Sequence, residues 1–300
     1  LPGAKAASAI DTDAECSIEF DISGNSSELL SASIPVNLYK VASVDVSGNY
    51  TATGTFAKLD FSSVSADNLD TAAATWSERA AEAKKLLKDD TEPTTTVTLT
   101  QGRGTATGLK TGLYLVDTPE VVTTNYTYTF TPYLVSLPTN NYYSNGNDNW
   151  IYDLTKEYNS AVGLKPEEHA RYGDLKINKT LAHHNATTGK KATFVFKIEI
   201  TPLKGKTETR IESLDFEAAG DSSVTITKIP AGATVTVKEE YSGASYKLTS
   251  ANDQNATIVA TDRGAKVDPA SVSFTNDIDN NMNGGYGVKN NFKLDENGQY

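Results

Sequence analysis

Short segments in which apolar and polar residues alternate, separated by turn residues, run along most of this sequence. In one of the first, Cys16, Ile18, Phe20 and Ile22 alternate with polar side chains, which is the pattern of a strand with one buried face. A convincing helical period occurs at one place, residues 73–89. Such a chain buries its apolar side chains by packing one sheet against another, so we predict an all-β fold.

The helical segment carries Trp76, Ala80, Ala83 and Leu87 at intervals that place them on one helix face. Charged residues occupy its other faces, and we expect these to be solvated. The segment is therefore predicted to be a single amphipathic helix inserted among strands.

Length, charge and cysteine content exclude several classes of protein. The chain has 300 residues, of which 38% are hydrophobic, enough for two domains that each have a core. Its 38 Asp and Glu outnumber its 27 Lys and Arg, giving a net charge of −11, whereas a nucleic-acid binder needs a basic face. The single cysteine, Cys16, excludes an intrachain disulfide, and no window approaches the roughly 18 apolar residues of a membrane helix.

Two patterned regions are separated by a polar segment with a proline, residues 163–173, which we interpret as a linker. We therefore predict one domain over residues 10–165 and a second over residues 166–277. An Asn/Gly-rich tail over residues 278–300 is expected to follow the second domain.

Residues 1–9 contain the sequence Ala7-Ser8-Ala9, which fits the cleavage site of a secretory signal peptide. These nine residues are interpreted as the remnant of such a signal, and a disordered arm is the alternative. Together with the Thr-, Ser- and Asn-rich strands, the pattern predicts an exported, extracellular protein.

The predicted elements are divided between the two regions. In the first region, strands are expected around residues 34–41, 95–100, 112–117, 125–137 and 150–156, with a loop over 140–149. In the second region, strands are expected at 175–181, 193–200, 224–229, 234–241, 246–249, 257–260 and 271–276.

Three polar residues in the second region share the phase of apolar neighbours on their strands. Lys179 follows Leu175 and Ile177 in phase, and Glu239 and Asn276 each continue an apolar face of their own strand. Since alternate residues of a strand lie on one face, all three are expected to point into the core. For any one of them taken alone, the alternative is a side chain at a sheet edge whose polar end reaches water.

A buried amine, a buried acid and a buried carboxamide can react with one another, and the reaction would remove the free-energy cost of burying them. Removal from water favours the neutral forms of the amine and the acid, and a neutral amine is a nucleophile. Glu239 can then polarise the Asn276 carboxamide and transfer protons while Lys179 attacks it. The arrangement predicts a self-catalysed, single-turnover Lys–Asn crosslink with no external substrate, and no other enzymatic activity.

The second region resembles the Cna B-type domains of Gram-positive surface proteins and pilins. The resemblance covers residues 173–277 and depends on the segments LKINKTL, VKEEYSGASY and SFTND. It implies an isopeptide bond between Lys179 and Asn276, assisted by Glu239 as the acid. Ser245 replaces the glycine of the family's E…GY pattern, and Glu240, in the wrong phase, is the fallback acid.

The first region resembles the N-terminal domain of sortase-assembled pilin subunits through the segments IPVNLYKVA, TGLYLVDTP, TPYLVSLP and WIYDLT. In that family a lysine after the tryptophan motif is joined by a sortase to the next subunit. Here the family's Tyr-Pro-Lys is missing, and the resemblance implies Lys165 as the linking lysine, with Lys156 as the alternative. The first strand of this region offers no lysine for an internal crosslink, and Lys40 with Asp117 is a possible pair.

The two resemblances together imply two tandem immunoglobulin-like (Cna B-type) β-sandwiches, the first with one inserted helix. They also imply a backbone pilin of a cell-surface pilus anchored to the cell wall, without cofactor or metal. Its partners would be identical subunits in a head-to-tail fibre, a pilus sortase, and tip and base pilins. A tip or wall-anchored adhesin that binds a host protein or glycan is the alternative. The family's LPxTG sorting motif does not occur in the sequence.

Overall fold

The computed structural model describes residues 8–69, 71–140, 149–242 and 245–280. The chain divides into two compact units, Leu1–His169 and Ala170–Tyr300. No helix among the described residues is both long and apolar enough to cross a membrane.

The first unit consists of short strands around one long strand. Its strands are β1 (Glu15–Asp21), β2 (Ile34–Val44), β3 (Tyr50–Ala52), β4 (Thr95–Leu99), β5 (Arg103–Lys110), β6 (Gly112–Asp117), β7 (Val121–Val122), β8 (Tyr126–Phe130), β9 (Tyr133–Leu137), β10 (Thr139–Asn140), β11 (Trp150–Ile151), β12 (Asp153–Leu154) and β13 (Pro166–Ala170). Its α-helices are α1 (Ser27–Leu30) and α2 (Ala73–Lys85).

The largest sheet of this unit has the order β3-β2-β6-β9, with β4 also paired to β2. One face packs against the three-stranded sheet β12-β1-β5, in a core that includes Cys16, Ile18 and Phe20. The opposite face is covered by α2, whose Trp76 belongs to a second apolar cluster. Because the sheet is buried on both faces, all six residues of β6 are buried.

Helix α2 confirms the inserted helix and the face that it buries. Trp76, Ala80 and Ala83 are buried, and the Trp76 indole nitrogen donates a hydrogen bond of 2.9 Å to the Asn68 side chain. The helix ends at Lys85, four residues before the predicted end at 89, so Leu87 follows the helix instead of lying on its buried face.

The second unit is a sandwich of two four-stranded sheets. Its strands are β14 (Tyr172–Leu181), β15 (Ala192–Thr201), β16 (Glu208–Phe216), β17 (Gly220–Pro230), β18 (Thr234–Tyr241), β19 (Tyr246–Leu248), β20 (Gln254–Thr257) and β21 (Ala270–Ile278). The sheets have the orders β17-β14-β21-β19 and β16-β15-β18-β20, and one apolar core lies between them. The predicted all-β fold of two β-sandwiches, the first with a helix, is confirmed.

The first and last strands of the second unit, β14 and β21, are parallel neighbours. Parallel neighbours cannot be joined by a hairpin, so the rest of the unit lies between them in sequence. Two residues near the ends of this chain segment are thereby brought side by side in one sheet.

Several sequence-based boundaries differ from the structure. Strands β5 and β16 were not predicted, because both are sheet edges with few buried side chains; in β16 only Phe216 is buried. The expected strand over 125–137 is two strands, and the one over 150–156 is two short strands followed by a 3-10 helix. The strand expected at 257–260 lies earlier, at β20.

The predicted linker over 163–173 is largely strand. Residues Pro166–Ala170 form β13, which lies beside β8, and the division between the units falls after His169 instead of after residue 165. A proline is tolerated at the first position of such a strand, so its presence did not mark a linker. Residues 1–7 of the predicted signal remnant or arm over 1–9, residues 141–148 of the predicted loop and residues 281–300 of the predicted tail over 278–300 lie outside the described residues.

The close packing at the start of β14 can be tested at Gly173. It is buried, and a Cβ at this position would overlap the carbonyl oxygen of Val259. Gly173→Ala should therefore lower the free energy of unfolding of the second unit by about 2–3 kcal/mol, measured by chemical denaturation. Gly163→Ala in the first unit, where an added Cβ meets no atom within 4 Å, is the control and should leave the unfolding of the second unit unchanged. An unchanged free energy of unfolding of the second unit in Gly173→Ala would contradict the predicted overlap.

Candidate functional site

Lys179 lies on the buried face of β14. Leu175, Ile177 and Leu181 share this face, and all four side chains are buried, with Lys179 only 1% exposed. In the parallel register, Leu181 is opposite Asn276 of β21 and Lys179 is opposite Phe274. The lysine and the asparagine therefore lie two positions apart on neighbouring strands and point into the same core.

Glu239 reaches the same point from the opposite sheet, on β18. One carboxylate oxygen, Oε1, lies 3.0 Å from Lys179 Nζ. The other, Oε2, accepts a hydrogen bond of 2.9 Å from Asn276 Nδ2, and Lys179 Nζ donates to Asn276 Oδ1. The structure thus brings together all three residues that the strand phase selected.

The surroundings of the three groups are apolar. Lys179 Nζ lies 4.3 Å from the centre of the Phe194 ring, and the side chains of Lys179 and Glu239 are 0% and 1% exposed. Burial lowers the pKa of Lys179, and its hydrogen bond to Glu239 and the charge of that residue oppose this shift only in part. The neutral amine is therefore more accessible here than at a solvated lysine.

The Asn276 carboxamide has one orientation in this network. Its oxygen faces the amine, and its nitrogen faces Glu239 and, at 3.4 Å, the backbone carbonyl of Ser242. A carboxyl group whose two oxygens face the amine and the amide nitrogen can move a proton from one to the other.

Glu240, the fallback acid, does not take part. The pairing of β18 with β15 shifts register between Glu239 and Tyr241, so Glu240 is the additional residue of a β-bulge and is exposed. Glu239 keeps the inward phase of Val235 and Val237, and its neighbour lies outside the core.

Ser245 lies in the left-handed region, with a φ of 72°. Glycine adopts this conformation without steric cost, whereas other residues rarely do. A glycine would adopt the backbone conformation that Ser245 has here without strain.

The two linking-lysine candidates of the first unit are both exposed. Lys165 Nζ lies 5.5 Å from the centre of the Tyr133 ring, at the edge of a cleft of about 340 Å³ that Trp76 and Leu154 also line. Lys156 lies in a 3-10 helix, where its backbone N–H donates to a Glu19 side-chain oxygen at 2.7 Å. Both residues are exposed, and Lys165 borders this cleft.

The second crosslink candidate, Lys40 with Asp117, is not supported. The buried Asp117 carboxylate accepts a bond of 2.8 Å from Lys84 Nζ of α2. In the register of β2 and β6, Asp117 is opposite Asn37, whereas Lys40 is opposite Tyr114. The sequence pattern did not indicate that Lys84 contacts Asp117, because charged residues on an amphipathic helix are ordinarily solvated.

Cys16 is buried, and this burial, together with the nearby charge of Asp153, raises the pKa of its thiol to about 12. A thiol in such surroundings stays protonated and unreactive. Among the described residues, no group of three or more His, Cys, Asp or Glu side chains is arranged to hold a metal ion.

Three further residues of the site were not found from the sequence: Phe194, Asn252 and Ser242. Phe194 forms the apolar wall beside the amine, Asn252 accepts a hydrogen bond from the Glu239 backbone, and Ser242 contributes only a carbonyl. An exposed asparagine in a turn gives no signal of its own, so no sequence pattern selected it.

Comparison with known proteins gives one family match and several distant structural similarities. A family model described as a domain of unknown function (DUF5979) matches residues 175–279. No curated protein matches the chain.

The structural similarities include several pilins. One is a minor pilin of Streptococcus agalactiae (15% identity, 82% of this chain and 83% of that one, TM-score 0.25). The major pilin of Streptococcus pyogenes has 13% identity over 89% of this chain and 99% of that one, with a TM-score of 0.23. The full-length major pilin SpaD of Corynebacterium diphtheriae has 12% identity over 90% and 99%, with a TM-score of 0.27. Similarities this low carry no functional assignment.

Proposed function

We propose that this protein is a structural subunit of a covalently polymerised pilus on the surface of a Gram-positive cell, stiffened by an internal isopeptide bond. The observation that carries the proposal is the buried network of Lys179, Glu239 and Asn276. The pilin-like motifs of the first unit add the pilus context, and a tip or wall-anchored adhesin is the alternative.

The bond forms between Lys179 Nζ and Asn276 Cγ. The neutral amine attacks the carboxamide carbon, the bond from Cγ to Nδ2 breaks, and Nδ2 leaves as ammonia. One proton is lost by Nζ and one is gained by Nδ2, so amine and carboxamide become a secondary amide and ammonia. No oxidant, cofactor or external substrate takes part.

Glu239 is the proton carrier in this reaction. Oε1, 3.0 Å from Nζ, receives the proton that the amine loses, and the carboxyl group returns a proton to Nδ2, which lies 2.9 Å from Oε2. The apolar surroundings, including Phe194, raise the energy of the charged amine and so favour the neutral, reactive form.

The position of the bond suits a subunit that bears load. It would join the first and last strands of the second unit, so tension between the chain ends of this unit would pass through a covalent bond instead of separating β14 from β21. With a single cysteine, the chain has no disulfide to serve the same purpose.

Polymerisation would use Lys165. A sortase holds one subunit as a thioester and needs an accessible amine to resolve it, and the Lys165 amine is exposed beside a cleft. Each subunit would then contribute an amine from its first unit and an acyl group from another segment, a heterologous arrangement that gives an open fibre.

The first prediction concerns mass and stability. The purified protein should be lighter than its sequence by one ammonia, and Lys179→Ala or Asn276→Ala should restore the full mass. Because the bond closes a sequence separation of 97 residues, its loss should cost about 4–5 kcal/mol of unfolding free energy. Intact mass spectrometry and chemical denaturation measure the two effects.

Lys176→Ala is the matched control for this prediction, since Lys176 lies on the same strand in the opposite phase. This variant should keep the mass loss. A wild-type protein at full sequence mass would refute the internal bond.

The second prediction concerns pH. In the wild type, Glu239 takes up the lysine proton internally, so the rate of bond formation should change little between about pH 6 and 8. In Glu239→Gln the amine must lose its proton to solvent, so the much slower residual rate should rise about tenfold per pH unit below the pKa of Lys179. Time courses of intact mass at several pH values measure both rates. The same steep rise in the wild type would contradict the role of Glu239.

The third prediction distinguishes a shaft subunit from an adhesin. In a Gram-positive host that carries a pilus sortase, Lys165→Arg should abolish the ladder of high-mass polymers, because arginine keeps the charge but is not a usable nucleophile. Immunoblots of cell-wall extracts measure the ladder, and the internal bond should remain intact by mass.

Lys156→Arg is the matched control and should leave the ladder unchanged. If Lys156→Arg alone removes the ladder, Lys156 is the linking residue. If the ladder survives in the double variant, neither lysine is the acceptor and the adhesin alternative is favoured.

A further inference from the structure

The crossover between β19 and β20, residues 249–253, connects the two sheets at the candidate site. Strand β19 pairs with the strand that carries Asn276, and β20 pairs with the strand that carries Glu239. A single short segment therefore contacts both strands whose side chains must meet Lys179.

On the side of Glu239, this segment contacts strand β18 through Asn252. The regular pairing of β18 with β20 stops at Val237 and Gln254, and two residues further along, Glu239 faces Asn252. There the Glu239 backbone N–H donates a hydrogen bond of 2.8 Å to Asn252 Oδ1. The side-chain oxygen replaces the backbone carbonyl that a continued ladder would supply.

Residues near Asn252 form hydrogen bonds to β21, the strand that carries Asn276. The backbone N–H and the hydroxyl of Thr249 both donate to the Thr275 carbonyl, at 2.8 and 3.0 Å, and the Thr275 N–H donates to Ser250 Oγ at 3.0 Å. Two residues earlier on β21, the Ser273 N–H donates to Gln254 Oε1 at 3.0 Å, and Gln254 Nε2 donates to the Ser273 carbonyl.

The position of Glu239 needs such support because of the β-bulge. The extra residue, Glu240, interrupts the regular pairing of β18 with β15 immediately after Glu239, so on that side the strand is less constrained. The hydrogen bond from Asn252 fixes the Glu239 backbone from the other side. The two carboxylate oxygens can reach the amine and the amide nitrogen together only when that backbone is in place.

We propose that Asn252 is a positioning residue for the formation of the Lys179–Asn276 bond. This inference rests on the proposed internal crosslink and adds a residue that touches none of the reacting atoms. Asn252 acts through the Glu239 backbone, and its own side chain lies largely at the surface. Its removal therefore opens no core cavity, and the expected effect is on the rate of reaction.

The test measures the rate of crosslinking in the full chain. A short pulse of cell-free synthesis is followed by acid quenching at intervals and intact mass spectrometry, which resolves the loss of ammonia. Asn252→Ala should slow crosslinking at least about tenfold, because small displacements of a reacting group carry large rate penalties. Asn252→Asp, which keeps an acceptor oxygen for the Glu239 N–H, should restore the rate to within about threefold of the wild type.

Asn255→Ala is the matched control, since Asn255 is also exposed and its side chain accepts a hydrogen bond of 2.8 Å from Thr236 on the outer face. It should crosslink at the wild-type rate. Thermal unfolding of Asn252→Ala and Asn255→Ala, each in a Lys179→Ala background, establishes that both fold. If Asn252→Ala does not fold, Asn252→Gln, which displaces the amide by one methylene, takes its place and should also be slow.

The outcomes distinguish failure of the positioning role from failure of the crosslink itself. A wild-type rate in Asn252→Ala, or in Asn252→Gln where that variant replaces it, overturns the positioning role while leaving the crosslink in place. Equally slow Asn252→Ala and Asn252→Asp also overturn it, because the acceptor oxygen would then have no part. A wild type that keeps its full sequence mass refutes the crosslink itself, and the positioning role with it.

Discussion

The burial of a lysine amine among apolar side chains is the constraint on which the second unit depends. A charged amine without a partner would cost several kcal/mol in such surroundings, and Lys179 is among the largest fully buried side chains of the chain. The cost is tolerable because Glu239 and Asn276 occupy the same position in the core. Removing one partner of a buried ion pair costs about 3–5 kcal/mol, so the three residues form one energetic unit before any bond forms between them.

The topology that satisfies this constraint has two parts. The parallel pairing of β14 with β21 places residues 97 positions apart in sequence on neighbouring strands. The phase of β18 then directs the Glu239 carboxyl group from the opposite sheet towards both, and Asn252 accepts a hydrogen bond from the Glu239 backbone. If only one of these features were present, at least one of the three polar side chains would be buried without a partner. The amine, the acid and the amide therefore come from both sheets of the sandwich.

The sequence predicted the fold class and the three core polar residues because both depend on strand phase, a property of each strand alone. It could not predict β16, where the half-buried positions include Arg210 and Glu212 and the apolar Ile211 is exposed, so that residue polarity does not follow burial. Nor could it predict the extension of strand into the expected linker, where β13 depends on its neighbour β8. Asn252 was equally hidden, since its role comes from the register between two strands. The contact between Lys84 and Asp117 was not predictable either, because it depends on how helix α2 packs on the sheet and not on a local sequence pattern.

Bond formation would remove the unfavourable burial of charged groups that makes the site reactive. Before reaction, the core holds an amine and an acid whose charged forms are poorly solvated, which raises the energy of the folded but uncrosslinked chain. Afterwards the amine is part of a neutral amide and ammonia has left, so the buried cation no longer exists. The energy needed to bury Lys179 is thus supplied by the packing of the apolar residues around it. Folding of the sandwich would bring the reacting groups together, and the bond would in turn make that folded arrangement permanent.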